Sequence, residues 1–379
     1  MNHALRAPLA RVAIVVALVP FVAGSAAGQQ GSITVLNRER KPTTVGDVTV
    51  VSETLTSVKY RRAESERSYE TKDVSAIAYG QGSEAWERGL KALAANDLAN
   101  AESLFGLAAG DSQPGWVAAH ALLRQAEAAA RRGSARLPQA REAIEHFLER
   151  FPEHRLLPQA LLDKSRYAFL AGDAAGADAA AAQVQQLAKE GKVTPDWAVR
   201  AHLALADLRL DAGDAKSAAT PYVAAEQAAR AAQPALTARP DLAQVLADLS
   251  LSARIGSASC MLSGADVAGA RVYYAQLAAD GKDRPDVQAA AANGLAECDF
   301  RDEGRLKEAQ LGFARVAVSA FGVPSERARA LYFLGRCAEE LGQQQVEPDG
   351  RQKAVAYYEE VVVRYPATRW ARLARQSKP

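Results

Sequence analysis

A pattern of helix, tight turn and second helix, repeated along most of the chain, constrains the fold more than any other feature. Between residues 143 and 182 apolar side chains recur every three or four positions, as they do on one face of an amphipathic helix. Pro152 ends the first of these helices, because proline lacks the N–H that a helix interior needs. Gly172-Asp173 then turns the chain before a third helix begins. A hairpin of this kind cannot bury its apolar face alone, so we predict that the hairpins stack.

The charge balance excludes one class of function. The chain has 379 residues, with 46 basic and 44 acidic side chains and a formal net charge of +2. A dedicated nucleic-acid binder usually has a large basic surplus, so we predict no nucleic-acid partner. Alanine is abundant, has the highest helix propensity and lets helices approach closely. The composition is that of a soluble helical protein and not of a disordered one.

The first 28 residues have the pattern of a secretory signal peptide. Arg6 and Arg11 give a positive start, and residues 12–22 form an apolar run too short to span a membrane as a helix. Small residues at 25–27 suit cleavage. We therefore predict a protein exported to the periplasm or cell envelope of a bacterium, with an uncleaved membrane anchor as the alternative. No later stretch looks apolar for long enough, so we predict no membrane span after cleavage.

Residues 29–80 differ from the rest because they favour short strands. Val, Thr, Tyr and Ile are frequent in five short runs, at residues 33–36, 45–52, 55–61, 67–72 and 74–79. We predict a small β domain, an antiparallel sheet or a barrel of the SH3-like or Sm-like type. Its inner face is predicted to carry Val58, Tyr60, Val74, Ile77 and Tyr79. The basic segment 59–62 is either an edge that binds a polyanion or a solvated strand edge that discourages aggregation. A Gly-Gln-Gly segment at 80–82 marks the boundary with a helical domain at 83–376.

The three cysteines are Cys260, Cys298 and Cys337. They follow one another at an interval close to the length of one repeated pair of helices. An odd number of cysteines is not a disulfide framework. Equivalent positions in successive repeats also lie too far apart for a bridge. We interpret the three as small buried apolar residues, with a redox or metal role as the alternative.

Sequence motifs of catalysis are absent. The chain has no GxSxG, no HExxH, no GxGxxG after a strand and no Walker lysine. His146 and His154 lie near one another in sequence, but Pro152 separates them, so they do not share a helix face. We predict a protein that is not an enzyme, without a cofactor and without a metal site.

From Ser83 onward the repeating unit resembles the tetratricopeptide repeat, whose paired helices carry small residues around one aromatic residue. The matching residues are Gly89, Ala101, Phe105 and Ala108; Gly213, Ala218, Tyr222 and Ala225; Gly304, Ala309, Phe313 and Val316; and Gly335, Ala354 and Tyr358. The resemblance implies a mainly α fold, an α-α superhelical solenoid of about seven hairpins behind the small β domain. We place the units at 83–112, 115–152, 155–192, 195–232, 240–281, 284–321 and 324–366. A last helix at 368–376 is expected to cover the open end.

Two repeat endings, Phe151-Pro152 and Tyr365-Pro366, carry a narrower resemblance. They are similar to the repeats of exported bacterial envelope proteins, namely the Tol-associated cell-division coordinator and the outer-membrane assembly lipoproteins. Those proteins are docking scaffolds, so the resemblance implies a protein or peptide partner, envelope proteins included.

In the tetratricopeptide family the first helix of each unit lines a concave binding face. The matching positions include Glu127 and Gln159, and our partner-binding candidates are Arg166, Arg200, Asp207, Arg329, Tyr332 and Arg336. The last three are spaced three and four residues apart and share one helix face, which suits an acidic or aromatic peptide. The alternative is an ordinary solvated helix face.

Together these observations predict a non-catalytic exported scaffold that binds a protein partner on the concave face of the repeat array. The alternative is a protein that binds an envelope polymer, such as peptidoglycan, through residues 29–80 and uses the array as a carrier.

Overall fold

The structure is a computed structural model and describes residues 31–110, 115–320, 322–366 and 368–377. The predicted signal peptide lies outside the described residues. The described chain contains five strands followed by fifteen α-helices. It divides into two compact units, residues 31–205 with 227–249, and residues 206–226 with 250–377. Each unit is described by itself.

The first unit begins with the five predicted strands. They are β1 (Gly31–Leu36), β2 (Pro42–Glu53), β3 (Ser57–Arg62), β4 (Ser65–Glu70) and β5 (Val74–Ala78). All neighbours are antiparallel, in the order β4-β3-β2-β1-β5. The five-stranded sheet is therefore confirmed, whereas an SH3-like or Sm-like barrel stays a prediction.

Alternate side chains of these strands form a small core. Val58 and Tyr60 are buried as predicted, and Val74, Ile77 and Tyr79 pack against them while partly exposed. The other buried members, which the sequence analysis did not select, are Ile33, Val35, Val48 and Val50. Burial at every second position is what an antiparallel sheet with one covered face requires.

Helices follow the sheet as hairpins. They are α1 (Glu84–Ala94), α2 (Leu98–Ala108), α3 (Val117–Arg131), α4 (Leu137–Arg150), α5 (Leu157–Leu170) and α6 (Ala174–Lys189). Each packs on the next helix in the chain. The turns have clear local causes: Asn96 and Gly172 adopt positive φ, while Asp97 and Asp173 accept hydrogen bonds from the first turns of α2 and α6.

Three helices contribute residues to both units, namely α7 (Asp196–Asp211), α8 (Ala215–Ala231) and α9 (Ala243–Ser263). The remaining helices belong to the second unit, and they are α10 (Val267–Asp280), α11 (Pro285–Arg301), α12 (Leu306–Ser319), α13 (Pro324–Gln343), α14 (Gly350–Arg364) and α15 (Arg369–Ser377). From α10 to α15 each helix packs on its successor. The mainly α fold is confirmed, with fifteen α-helices in the described ranges, and the division into seven hairpins stays a prediction.

Close helix contacts use a glycine opposite an aromatic ring, as the repeat pattern predicts. A Cβ added at Gly89 would lie 2.8 Å from the Phe105 ring, and one added at Gly335 would lie 2.5 Å from Tyr358. Gly294, which the sequence analysis did not select, would place a Cβ 2.3 Å from Tyr274. The absence of a side chain therefore sets how closely these helices approach.

The sequence analysis did not identify one long apolar helix. Among the described residues, Pro240–Ser263 is long and apolar enough to cross a membrane by length and composition alone. Within the second unit Ala258 and Leu262 of this helix are fully buried, and Gly256 touches the Tyr222 ring. Core packing accounts for part of this apolar character, since 39% of the apolar window is buried, and the absence of a membrane span stays a prediction.

The three cysteines are free and buried, which confirms their interpretation as core residues. Burial raises the pKa of the Cys260 and Cys298 thiols to about 11 and that of Cys337 to about 12. Thiols with a raised pKa are poor nucleophiles at neutral pH, so the environment favours a packing role over redox chemistry.

Candidate functional site

A buried carboxylate, Glu53, connects the sheet to the helices of the first unit. Glu53 ends β2, and only 2% of its side chain is exposed. Tyr79 Oη donates a hydrogen bond to Glu53 Oε2 at 2.7 Å, and Arg155 Nε donates to the same oxygen. Arg155 Nη2 also donates to Tyr79 Oη at 2.6 Å. Because Arg155 lies two residues before the start of α5, this network fixes the sheet against the third hairpin.

The second oxygen of Glu53 faces two histidines. Glu53 Oε1 lies 3.7 Å from His120 Nε2 and 3.9 Å from His154 Nε2. We call Glu53, Tyr79, His120, His154 and Arg155 the junction cluster. Aromatic rings enclose it, with Tyr79 stacked on Trp116 at 4.4 Å and in edge contact with His120 at 4.7 Å.

Three atoms of the junction cluster are close enough to share a metal ion, since Glu53, His120 and His154 offer ligand atoms within 4.8 Å of one another. The charges around them weigh against an ion, although Glu53 Oε1 and His120 Nε2 are buried without a hydrogen-bond partner in the part of the chain that the structure describes. Leu156 N–H donates to His154 Nδ1 at 3.2 Å, so neutral His154 carries its proton on Nε2, the atom that faces Glu53. Arg155 already neutralises the carboxylate, and a divalent cation would add uncompensated buried charge.

Electrostatics in the junction cluster agree with a neutral network. Burial alone would raise the pKa of Glu53, but the nearby His120 imidazole and the Arg155 cation hold it well below its usual range. Burial lowers the pKa of His154 to about 4, and it also lowers the pKa of His120. At neutral pH the cluster therefore consists of one ion pair, a phenol and two neutral imidazoles, which suits a structural joint.

A second polar group lies on the first helices of two successive hairpins. Arg124 and Glu127 on α3 and Gln159, Asp163 and Arg166 on α5 are all half-buried, and we call them the α3–α5 face. Arg124 Nη1 donates to Glu127 Oε2 at 2.6 Å, and Gln159 Nε2 donates to Asp163 Oδ1 at 3.2 Å. Three of its members, Glu127, Gln159 and Arg166, stand at positions that the resemblance assigned to the concave face.

Asp163 is a carboxylate of the α3–α5 face whose charged form is disfavoured by burial. Burial raises its pKa to about 6, although the Gln159 hydrogen bond and the nearby Arg166 act in the opposite direction. Arg166 forms no ion pair with any residue that the structure describes. This face therefore presents an incompletely neutralised carboxylate and a guanidinium without a fixed partner.

Two further candidates already have partners within their own unit. Arg200 Nε in the first unit donates to Asp196 Oδ2 at 2.9 Å, and its guanidinium lies over the Trp197 ring. Asp207 in the second unit accepts a hydrogen bond from Tyr222 Oη at 2.6 Å while remaining exposed. Their role in partner binding stays a prediction.

Neither interpretation of Arg329, Tyr332 and Arg336 from the sequence, a peptide-binding face or a solvated helix face, describes where the structure places the group. Arg329 is only 3% exposed and donates from Nη2 to Glu297 Oε2 at 2.8 Å. Tyr332 is buried against the Trp370 ring of α15. Arg336 remains half-exposed. In this conformation Arg329 and Tyr332 are neither open to a partner nor solvated, because α15 packs over α13.

Sequence reasoning missed the junction cluster. Arg155 contacts Glu53 across 102 positions, and no local pattern connects residues so far apart. The repeat resemblance assigns His120 to the concave face, and His154 follows a proline, so neither position indicates a buried cluster. An isolated glutamate at a strand end and a His-Arg pair before a helix are each unremarkable alone.

Comparisons with known proteins give no family for this chain. No family model matches it, and no curated protein matches it. Among solved structures it is similar to a tetratricopeptide repeat protein from Parabacteroides merdae ATCC 43184, with 14% identity, a TM-score of 0.46, and coverage of 73% of this chain and 91% of that chain. It is also similar to the apo form of RapI, with 11% identity, a TM-score of 0.45, and coverage of 74% and 75% respectively. At this level of similarity neither structure assigns a function.

Proposed function

We propose that this protein is a non-catalytic, exported scaffold of the bacterial periplasm or cell envelope that binds a protein or peptide partner through the α3–α5 face. The observation that carries the proposal is a polar surface on the first helices of adjacent hairpins. Side chains there are half-buried and charged, and they are not fully paired with one another.

The buried charge of Asp163 is unfavourable in the free protein, so a partner that compensates it would gain binding free energy. At neutral pH this carboxylate is ionised at a position where burial disfavours its charge. A hydrogen-bond donor or cation from a partner would relieve that cost, and Arg166 would accept a carboxylate of the same partner. The face therefore suits a protein segment that carries charges of both signs, and complementary charges would set its orientation.

The proposal of export comes from residues 1–28, where positive residues, a short apolar run and small residues follow one another. The Phe-Pro and Tyr-Pro repeat endings resemble those of exported envelope scaffolds. The absence of sequence motifs for nucleophilic, metal or phosphate chemistry supports a non-catalytic role.

A photo-crosslinking amino acid at Gln159 in the native cell tests the proposal. Glu149, an exposed residue of α4, provides the matched control position. We expect Gln159 to crosslink a discrete partner that Glu149 does not capture. With that partner purified, Arg166→Glu should weaken binding about tenfold or more. Identical crosslinks from both positions, or unchanged affinity of a well-folded Arg166→Glu protein, would refute the assignment.

The alternative, binding of an envelope polymer by the sheet, gains little from the structure. Arg61 in the basic segment donates from Nη2 to Glu66 Oε1 at 2.5 Å, so part of the positive charge there is already compensated. The alternative stays a prediction, and retention of the protein by isolated cell-wall material would test it.

A further inference from the structure

The last helix, α15, does more than cover the end of the array. Inside the second unit it packs on α13 and α14, and it also reaches Asp211, the final residue of α7. Asp211 and Arg372 are 161 positions apart. A helix that only capped the last hairpin would not need a contact so distant in sequence.

Apolar contacts hold one side of α15. Ala371 and Ala374 are fully buried. The Trp370 ring lies 5.6 Å from the Tyr332 ring and 5.7 Å from the Phe333 ring, both on α13. Small residues between larger anchors let a helix lie close against its support, and Trp370 supplies the main apolar anchor.

Arginines hold the other side. Arg372 Nη2 donates to the main-chain carbonyl of Asp211 at 3.1 Å, and Arg369 Nη1 lies 3.7 Å from Asp211 Oδ1. The carbonyls at the end of α7 lack partners within their own helix and carry partial negative charge, which favours a cation. Asp207, one turn earlier on α7, is exposed and adds negative charge near Arg369.

The fit of α15 is incomplete. The Nε atoms of Arg369 and Arg372 are buried but have no hydrogen-bond partner among the described residues. The Nε atom of Arg329, whose guanidinium lies over the Trp370 ring, is in the same state. A buried donor without a partner costs free energy, so α15 holds this surface less tightly than its number of contacts suggests.

We propose that the surface under α15, formed by Asp211 of α7 and by Tyr332 and Phe333 of α13, is a docking site for an amphipathic helix of a protein partner, and that α15 is its internal occupant. The partner helix carries the same chemistry as α15, a tryptophan with arginines on either side of it and alanines that allow close approach. This proposal goes beyond the α3–α5 face, uses none of its residues, and stands or fails independently of it.

A peptide with the sequence of residues 365–377 is the probe, and the full-length protein is the target. The variant Arg369→Ala/Trp370→Ala/Arg372→Ala releases α15, with retained helix content checked by circular dichroism. Fluorescence anisotropy should show the peptide binding to this variant about tenfold or more tightly than to the wild type. Adding Asp211→Ala should weaken that binding. A peptide with Arg375→Ala is the matched control and should bind unchanged, because Arg375 is exposed.

A second measurement avoids any variant. Hydrogen exchange of the wild-type protein with excess peptide should show faster exchange of amides 369–377 and unchanged exchange within α10, which Trp370 does not touch. The proposal is overturned if a released, helical variant fails to bind the peptide. Unchanged exchange of residues 369–377 at a saturating peptide concentration would overturn it equally.

Discussion

His154 should make the first unit sensitive to acid. Its imidazole is buried, and burial lowers its pKa to about 4 from an ordinary value of 6.5. The folded protein therefore keeps His154 neutral at pH values where the unfolded chain takes up a proton. For a base whose pKa is lower in the folded state, stability is complete above the unfolded pKa and falls as the pH decreases towards the folded pKa.

The size of the effect follows from the two pKa values. Below the unfolded pKa the free energy of unfolding decreases by about 1.4 kcal/mol for each pH unit. Between about pH 7.5 and pH 5 the loss from His154 alone is about 2 kcal/mol, and near pH 4 it approaches about 3 kcal/mol. The substitution His154→Asn removes the titration, and its amide oxygen is placed to accept the Leu156 N–H bond.

Urea unfolding followed by circular dichroism and tryptophan fluorescence measures this directly. The difference in unfolding free energy between the wild type and His154→Asn should change by about 2 kcal/mol between pH 7.5 and pH 5, in favour of the variant at low pH. Titrating groups outside the junction cluster are common to both proteins and cancel. His146→Asn, on the exposed side of α4, is the control and should follow the wild type. Parallel pH profiles for the wild type and His154→Asn would refute the argument.

Two further substitutions test the packing and the candidate face. Gly294→Val should destabilise the second unit by about 1–3 kcal/mol in thermal or urea unfolding, since a Cβ there would meet Tyr274 at 2.3 Å, whereas Gly46→Ala has open space and should change little. Asp163→Asn should stabilise the protein by about 1–2 kcal/mol near pH 8, a figure discounted for partial exposure, because burial raises the carboxyl pKa to about 6 from 3.8. This gain should vanish by about pH 4, where the folded wild type is protonated, and a constant gain at both pH values would contradict the assigned cause.

The fold was predictable where its determinants are local. Apolar spacing located the helices, Pro and Gly-Asp signals located their ends, and a glycine opposite an aromatic identified close helix contacts such as Gly89 with Phe105. Strand propensity and alternation located the five strands. Each of these signals arises within a few residues, so one sequence is enough to detect it.

The site was less predictable because its determinants are distant in sequence. Arg329 stands at a position that the repeat resemblance assigns to a binding face, yet it is buried, paired with Glu297 and covered by Trp370 of α15. The sequence of α13 gives no sign that a later helix covers Arg329. The apolar character of α9 was also not predicted. Composition alone does not distinguish a buried helix from one that could span a membrane.

Both units hold a non-repeating element at a buried ion pair. In the first unit Glu53 of the sheet pairs with Arg155, and in the second Trp370 of α15 lies over Arg329, whose partner is Glu297 of α11. A buried ion pair adds little net stability, but loss of either partner is costly, so such pairs fix one arrangement against others. First-helix residues therefore make internal contacts for as long as such an element covers them. On this reasoning the incompletely paired charges of the α3–α5 face are the ones left for a partner.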